Sequence, residues 1–285
     1  MSRSAPQAMM SNADRPRVAL VTGASSGIGR DIAQVLLGDG MVVYCVARRL
    51  SRMDDLRTAG AFPLAMDLAD PDQIQNVVDQ IERDHGGVDV LVNNAACGLY
   101  GSVEETSLEE VRYQFDVNMF GTARLTQLVL PYMREQKDGR IINITSIGGK
   151  IYTPLGAWYH ATKHALEGWS DSLRLELHPF NVKVVVIQPG MIESEFGRAM
   201  ENSMLEHSGS GPYAKMAQAM AATMRRNDDR GSSPRVISEI VQKAIYSKNP
   251  KPRYAGGKTA KPLLFLRKWL GDRVFDKIIL SQTDG

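Results

Sequence analysis

The stretch Val18-Ala19-Leu20-Val21-Thr22-Gly23-Ala24-Ser25-Ser26-Gly27-Ile28-Gly29 decides the fold. Its first half is an apolar run without polar alternation, the pattern of a strand buried on both faces in a parallel sheet. Glycines at 23, 27 and 29 then clear side chains where the strand turns into a helical pattern running from Gly29 to Leu37. Bare backbone N–H groups at a helix start, where the helix carries partial positive charge, suit a phosphate. A lone glycine triplet is a weak signal, but a strand before it and a helix after it point to a dinucleotide turn. The competing reading is a glycine-rich turn with no ligand.

Working outward, the same rhythm repeats. Strand-like runs fall at Met41–Val46, Ala61–Ala65, Val88–Asn93, Arg140–Thr145 and Val182–Gln188. Helical patterns lie between them at Pro71–His85, Leu108–Glu135 and Ala157–Leu177. Alternation of this kind predicts an α/β protein, a doubly wound parallel sheet of Rossmann type with helices on both faces. After Pro189 the pattern becomes mostly helical and Met-rich to Asn227, followed by a helix over Ser232–Ser247 and an extended piece at Pro252–Ala255. This last third is too strand-poor for a domain of its own. The expected organisation is therefore a disordered leader over 1–16 and one nucleotide-binding domain over 17–285. Within that domain, 191–230 is read as a small helical segment covering the substrate and 248–285 as a C-terminal extension.

Composition narrows the class. With 43% hydrophobic and 23% charged residues, the 285-residue chain can bury a sizeable core, and a net charge of +2 gives no electrostatic case for nucleic acid. Two cysteines exclude a disulfide framework and are read as reduced, packed thiols. With no run of about 20 apolar residues, no membrane span is expected, and a reducing cytoplasmic compartment is the default.

The end of the second strand bears on the cofactor. NAD usually meets a carboxylate there, which accepts hydrogen bonds from the free ribose 2′-OH. This chain runs Val46-Ala47-Arg48-Arg49 instead. Two guanidiniums there could clamp a 2′-phosphate, so NADP(H) is preferred over NAD. The blander reading makes them solvated loop charges.

A second cluster carries proton chemistry. Tyr159 and Lys163 stand one helical turn apart, and Ser146 lies thirteen residues upstream of the tyrosine at a strand end. A phenol with pKa ~10 is a poor acid or base near neutrality, and lowering it by ~3 units takes ~4 kcal/mol of differential interaction. A close ammonium in a water-poor cleft is a reasonable source of that energy. Ser146 could donate to a substrate oxygen as charge develops there. A chance Tyr-Lys pair on a helix is usually surface decoration, but the upstream serine and glycine loop argue against chance here.

These residues carry a resemblance. From about Val18 to Phe196 the chain resembles the short-chain dehydrogenase/reductase family, with a weaker likeness beyond. The resemblance implies that Thr22, Gly23, Ser25, Ser26, Gly27, Ile28 and Gly29 form the cofactor loop, and that Asp67-Leu68 contacts the adenine. It implies that Asn94 and Ala95, within Asn93-Asn94-Ala95-Ala96, border the cofactor. Pro189, Gly190, Ile192 and Ser194 would receive the nicotinamide. Asn118 joins Ser146, Tyr159 and Lys163 as a catalytic tetrad, with Tyr159 the acid in reduction and the base in oxidation. Tyr159 and Lys163 would also touch the cofactor. Ala96 replaces a usual glycine and Ser194 a usual threonine. The stretch from Ser146-Ile147-Gly148-Gly149-Lys150 to His164-Ala165-Leu166-Glu167-Gly168 is similar to the branch with hydroxysteroid and retinol dehydrogenases, which implies a bulky apolar alcohol or ketone. The family also implies a homodimer or homotetramer through the helices bearing Asn118 and Tyr159.

The expected activity is therefore hydride transfer between NADPH and a small-molecule carbonyl or alcohol. The alternative is a non-catalytic NADP-binding sensor on the same fold. His160 and His164 are also four apart, but they lack the glutamate of a zinc motif, and no metal is expected. Met216, Met220 and Met224 form a stripe that serves helix packing or, alternatively, an adaptable lid. Residues 248–285 hold nine Lys or Arg against three Asp, interleaved with Leu263, Leu264, Phe265, Leu266, Trp269 and Leu270. Docking of this segment on the enzyme body is favoured over contact with an anionic membrane.

Overall fold

The computed structural model describes residues 15–228 and 231–281. The chain forms β1 (Val18–Thr22), α1 (Gly27–Gly38), β2 (Val42–Ala47), α2 (Asp54–Thr58), β3 (Phe62–Ala65), α3 (Pro71–His85) and β4 (Val90–Asn93). Then come α4 (Leu108–Phe115), α5 (Thr122–Gln136), β5 (Gly139–Ile144), α6 (Ala157–Glu176) and β6 (Val182–Pro189). The last third holds α7 (Glu195–Ser208), α8 (Ala214–Asp228), α9 (Arg235–Tyr246), β7 (Arg253–Gly256), α10 (Ala260–Trp269) and α11 (Gly271–Leu280).

The strands make one sheet in the order β3-β2-β1-β4-β5-β6-β7, every pair parallel. The chain builds outward from β1 to β3, then crosses to β4 on the other side of β1, where Ala19 pairs with Val90. That reversal opens a crevice at the carboxyl ends of the strands, where open parallel sheets bind ligands. Unbroken apolar runs are explained by the two layers of helices. Ala19, Val21, Val90, Val92, Ile142 and Ile144 pack on the side of α1 and α9. Val18, Leu20, Leu91 and Ile141 pack on the side of α3, α5 and α6.

Local chemistry sets the element ends. Asp70 caps α3 by accepting from the Asp72 and Gln73 N–H groups, Pro71 opens it, and Gly86 closes it in a left-handed conformation. The helix expected over Leu108–Glu135 is not uniform. A π-helical turn over Asp116–Gly121 interrupts it, between α4 and α5. Here the chain packs so closely on Leu68 that a Cβ on Gly121 would stand 2.0 Å from the Leu68 carbonyl oxygen. Such wide turns recur at functional sites, and this one carries Asn118.

In the last third, β7 extends the sheet with Val186 opposite Arg253, and α9 lies along α1. Helices α7 and α8 pack on each other and put Met204, Ala217, Met220 and Ala221 in one cluster with Tyr100, Leu155 and Tyr159. The methionine stripe therefore packs a helix pair and also lines a cleft, as described below. Helices α10 and α11 dock on the body through Leu263, Leu264, Phe275 and Ile279, against Ile147 and Ile151. Of the expected leader, residues 1–14 lie outside the described residues. Arg15 is anchored to Asp89 at 2.7 Å. Residues 229–230 of the expected lid and 282–285 of the extension also lie outside them. Both cysteines are free thiols. Among the described residues, no helix is long and apolar enough to cross a membrane.

Candidate active site

The glycine loop is shaped by contact with the loop after β4. A Cβ on Gly23, where φ is +69°, would lie 2.8 Å from the Ala95 Cα, and one on Gly29 would lie 2.4 Å from the Asn94 side-chain nitrogen. Gly27 also has a positive φ, +54°, which favours glycine. The Thr22 hydroxyl accepts hydrogen bonds from the backbone N–H groups of Asn94 and Ala95, both at 2.9 Å, and Asn94 Nδ2 donates to the Thr22 carbonyl. Thr22, expected to touch cofactor, lines the cleft, and its hydroxyl also ties β1 to the loop after β4. Ala96 keeps a negative φ, so its replacement of glycine is unstrained.

Ser26 stands at the N-cap of α1 with no side-chain cap bond, and the first turn of the helix holds no acid. That bare, partially positive terminus fits the pyrophosphate of a dinucleotide. Ser25, Ile28, Asn94 and Ala95 line the same cleft. At the end of β2, Arg48 and Arg49 are exposed on the cleft rim. Arg48 donates to the Tyr113 hydroxyl at 2.7 Å. Arg49 stands 3.9 Å from Glu195 and Arg52 2.7 Å from the same carboxylate. No carboxylate follows β2 in sequence, yet α7 delivers one in space. Asp67 accepts from the Ala69 N–H and from Tyr113, with Leu68 buried beside it.

The residues expected to carry proton transfer come together at the carboxyl end of β5. Ser146, just past β5, accepts from the Gly148 N–H at 3.0 Å. Tyr159 and Lys163 share the inner face of α6 and are both buried. Lys163 Nζ donates to the Ile144 carbonyl at 3.0 Å and lies 5.8 Å from the Tyr159 ring centre. Burial pushes the Tyr159 phenol up to about 12, while a hydrogen bond with Ser146 pulls it down. Burial also pushes the Lys163 ammonium down to about 8, against the pull of Glu167. Burial, the larger effect on Tyr159, opposes the depression of the phenol that the sequence leads one to expect. Asn118 is held firmly: its oxygen accepts from the Cys97 N–H at 2.7 Å, and its nitrogen donates to the Cys97 carbonyl and the Thr162 hydroxyl.

Ser146, Tyr159 and Lys163 open on one cleft of about 1460 Å³, while Asn118 is buried behind its lining. Pro189, Gly190, Ile192 and Ser194 form its wall at the end of β6. Opposite the glycine loop the wall is apolar, built from Leu99, Tyr100, Phe196, Met200, Met220 and Met224. The sequence reading missed three residues here. Tyr100 lies 5.6 Å and Phe196 6.0 Å from Tyr159, ring centre to ring centre. The third is His160. For Tyr100 and Phe196 the one available signal was position, in the loop after β4 and at the start of α7 after β6, whereas the spacing of His160 and His164 was weighed only as a metal pair.

His160 is a bracing residue. Its Nδ1–H donates to the Gly148 carbonyl, and its Nε2 accepts from the Thr153 N–H, a pairing that requires the neutral ring. It thereby fixes the turn that follows Ser146.

Comparison with known proteins agrees with this geometry. The short chain dehydrogenase family model matches residues 17–204. The chain is 35% identical to a 3-ketodihydrosphingosine reductase of Bacteroides thetaiotaomicron, over 91% of this chain and 95% of that protein. It is 32% identical to retinol dehydrogenase 8 of Bos taurus, over 90% and 86%. Its fold superposes on a short-chain dehydrogenase from Streptomyces avermitilis with a TM-score of 0.77 and 32% identity, covering 95% of this chain and 96% of that one.

The bracing by His160 has a pH signature. Burial lowers its pKa from 6.5 to about 4 in the folded protein. Between those values the folded state binds fewer protons than the unfolded state, so stability falls as pH falls. Denaturant titration of wild type against His160→Gln between pH 6.5 and 4 should show an extra loss of roughly 2–3 kcal/mol in wild type only. Parallel curves would disprove the bracing by a neutral ring.

Proposed function

The chain belongs to the short-chain dehydrogenase/reductase family and is an oxidoreductase, and from that premise we propose the finer activity. It is an NADPH-preferring enzyme that interconverts a carbonyl and an alcohol on a bulky apolar small molecule. The observation that carries this reading is the convergence of Ser146 and Tyr159 on the apolar wall of Leu99, Phe196, Met200 and Met220 in one cleft.

In this reading the turn at Gly23 to Gly29, with Ser25, Ser26 and Ile28, holds the pyrophosphate. Arg48 and Arg49 hold the 2′-phosphate, Asp67 and Leu68 the adenine, and Asn94 and Ala95 the middle of the cofactor. Lys163 binds the nicotinamide ribose, while Pro189, Gly190, Ile192 and Ser194 enclose the ring. When bound, the cofactor supplies or accepts the hydride that changes the oxidation state of the substrate carbon. Ser146 orients the substrate oxygen by donating a hydrogen bond. Tyr159, whose pKa of about 12 keeps it protonated near neutrality, is in the form that gives a proton to that oxygen in reduction. In the opposite direction its proton must leave first, and the Lys163 cation lowers the cost of the resulting phenolate. Asn118 positions the turn that carries Cys97 and braces Thr162 on the helix of the catalytic pair.

A bulky apolar substrate is supported by the flexible methionine and aromatic wall, which adapts to shape and offers little polar competition. The relatives named for 3-ketodihydrosphingosine and retinol point the same way. Exposed Phe120 and Leu175, on the segments bearing Asn118 and Tyr159, fit the expected homo-oligomer.

Two substitutions test the reading. Tyr159→Phe should lower turnover of apolar ketones about a thousandfold and leave NADPH affinity unchanged in a fluorescence titration; near-normal turnover would sink the assigned mechanism. Replacing both Arg48 and Arg49 by Ala should weaken NADPH binding by about ten- to a hundredfold and leave NADH binding intact. Equal losses for both cofactors would exclude 2′-phosphate recognition by these arginines.

A further inference from the structure

Helices α10 and α11 have two sides of opposite character. Their inner side is the docked one described above. Exposed on the two helices are Phe265 and Trp269 of α10 and, flanking the buried stripe of α11, Val274 and Leu280, at 62%, 65%, 46% and 47%. Phe265 and Trp269 sit one helical turn apart with ring centres 6.3 Å apart, so they make a continuous aromatic surface. Cations surround it. Lys261, Lys268, Arg273 and Lys277 are all exposed, and Lys268 Nζ lies 5.1 Å over the Trp269 ring. Both acids of these helices are already engaged, Asp272 with Arg267 at 2.7 Å and Asp276 with the Tyr152 hydroxyl at 2.8 Å. Among the described residues, no salt bridge is formed by the four exposed cations.

We propose that the outer face of α10 and α11 docks on an anionic lipid surface. Aromatic side chains with lysines and arginines around them are the combination that settles at the headgroup level of a bilayer. Exposed cations are drawn to anionic headgroups within a Debye length of the surface. A second copy of this chain fits the face poorly, since it would bring four cations against four like charges, and lysine is depleted in protein interfaces. The position adds weight. Pro262, Leu263 and Ile279, on the same two helices, line the cleft, so a docked enzyme holds its cleft beside the lipid. This inference concerns binding alone and stands apart from the proposed reaction.

The full chain is sedimented with vesicles of phosphatidylcholine alone and of equal parts phosphatidylserine and phosphatidylcholine, at low and at high salt. Binding is expected to the serine-containing vesicles only, to weaken with salt, and to shift Trp269 emission to the blue. Lys268→Glu with Arg273→Glu should weaken it at least about tenfold, and Trp269→Ala should weaken it and abolish the emission shift. No sedimentation at low salt overturns the proposal. So does binding that ignores lipid charge or survives all three substitutions. Loss of a dimer in the Trp269→Ala protein on gel filtration, with no vesicle binding by wild type, assigns the face to a second copy and equally overturns it.

Discussion

The seam between β1 and β4 is the constraint on which the cleft depends. Parallel strands leave their carboxyl ends open there, and the glycine turn can enter only because Gly23 and Gly29 lack a Cβ. The Thr22 hydroxyl, bonded to two consecutive N–H groups of the neighbouring loop, fixes the spacing of that seam. One methyl group on Gly29 would collide with both Asn94 and the Gly23 carbonyl oxygen. The approach that bars a side chain is also what leaves the start of α1 open to a phosphate, so packing and binding arise from one geometry.

Beside that seam, the site holds two titratable groups away from water. Tyr159 and Lys163 are both shifted toward their neutral forms by burial. The surroundings limit the cost. Lys163 donates to the end of β5, and one helical turn further on Glu167 lies buried under the sheet edge. Glu167 accepts from Thr145, Gln188 and Arg253 at 2.8 to 2.9 Å and pairs with Lys150 at 3.1 Å. That network joins the end of β5, β6, β7 and α6, so the strand added by the last third also supports the helix that carries Tyr159 and Lys163. The result is a rigid floor facing an adaptable wall of methionines.

Much of this was legible in the sequence, for a physical reason. Strand pattern, glycine turn and the Tyr159-Lys163 pair are encoded by neighbours in the chain, and local periodicity reports them directly. The π-turn at Asp116–Gly121 was not, and the contact it makes with Leu68, some fifty residues away, is one that local periodicity does not report. Glu195 reaching Arg49 and Arg52 across the cleft was likewise invisible, since sequence around β2 shows only a turn without a carboxylate. The effect of burial on Tyr159 was out of reach for a related reason. Spacing on a helix shows that an ammonium is near, whereas burial, the larger effect, belongs to the assembled core. The C-terminal segment was read as docking on the body, and its inner side does so. That a second, aromatic and basic side remains outward required the positions of both helices.

The central claim is that this cleft moves hydrogen between a nicotinamide and the carbon of an apolar carbonyl compound. The most direct measurement incubates the protein with NADPH deuterated at the transferring face of C4 and a panel of long-chain and polycyclic ketones, followed by mass spectrometry of the products. The account predicts an alcohol carrying one deuterium on the former carbonyl carbon, with matching loss from the cofactor. Unlabelled alcohol, or full retention of deuterium by NADPH with every apolar ketone while polar ones react, would contradict it.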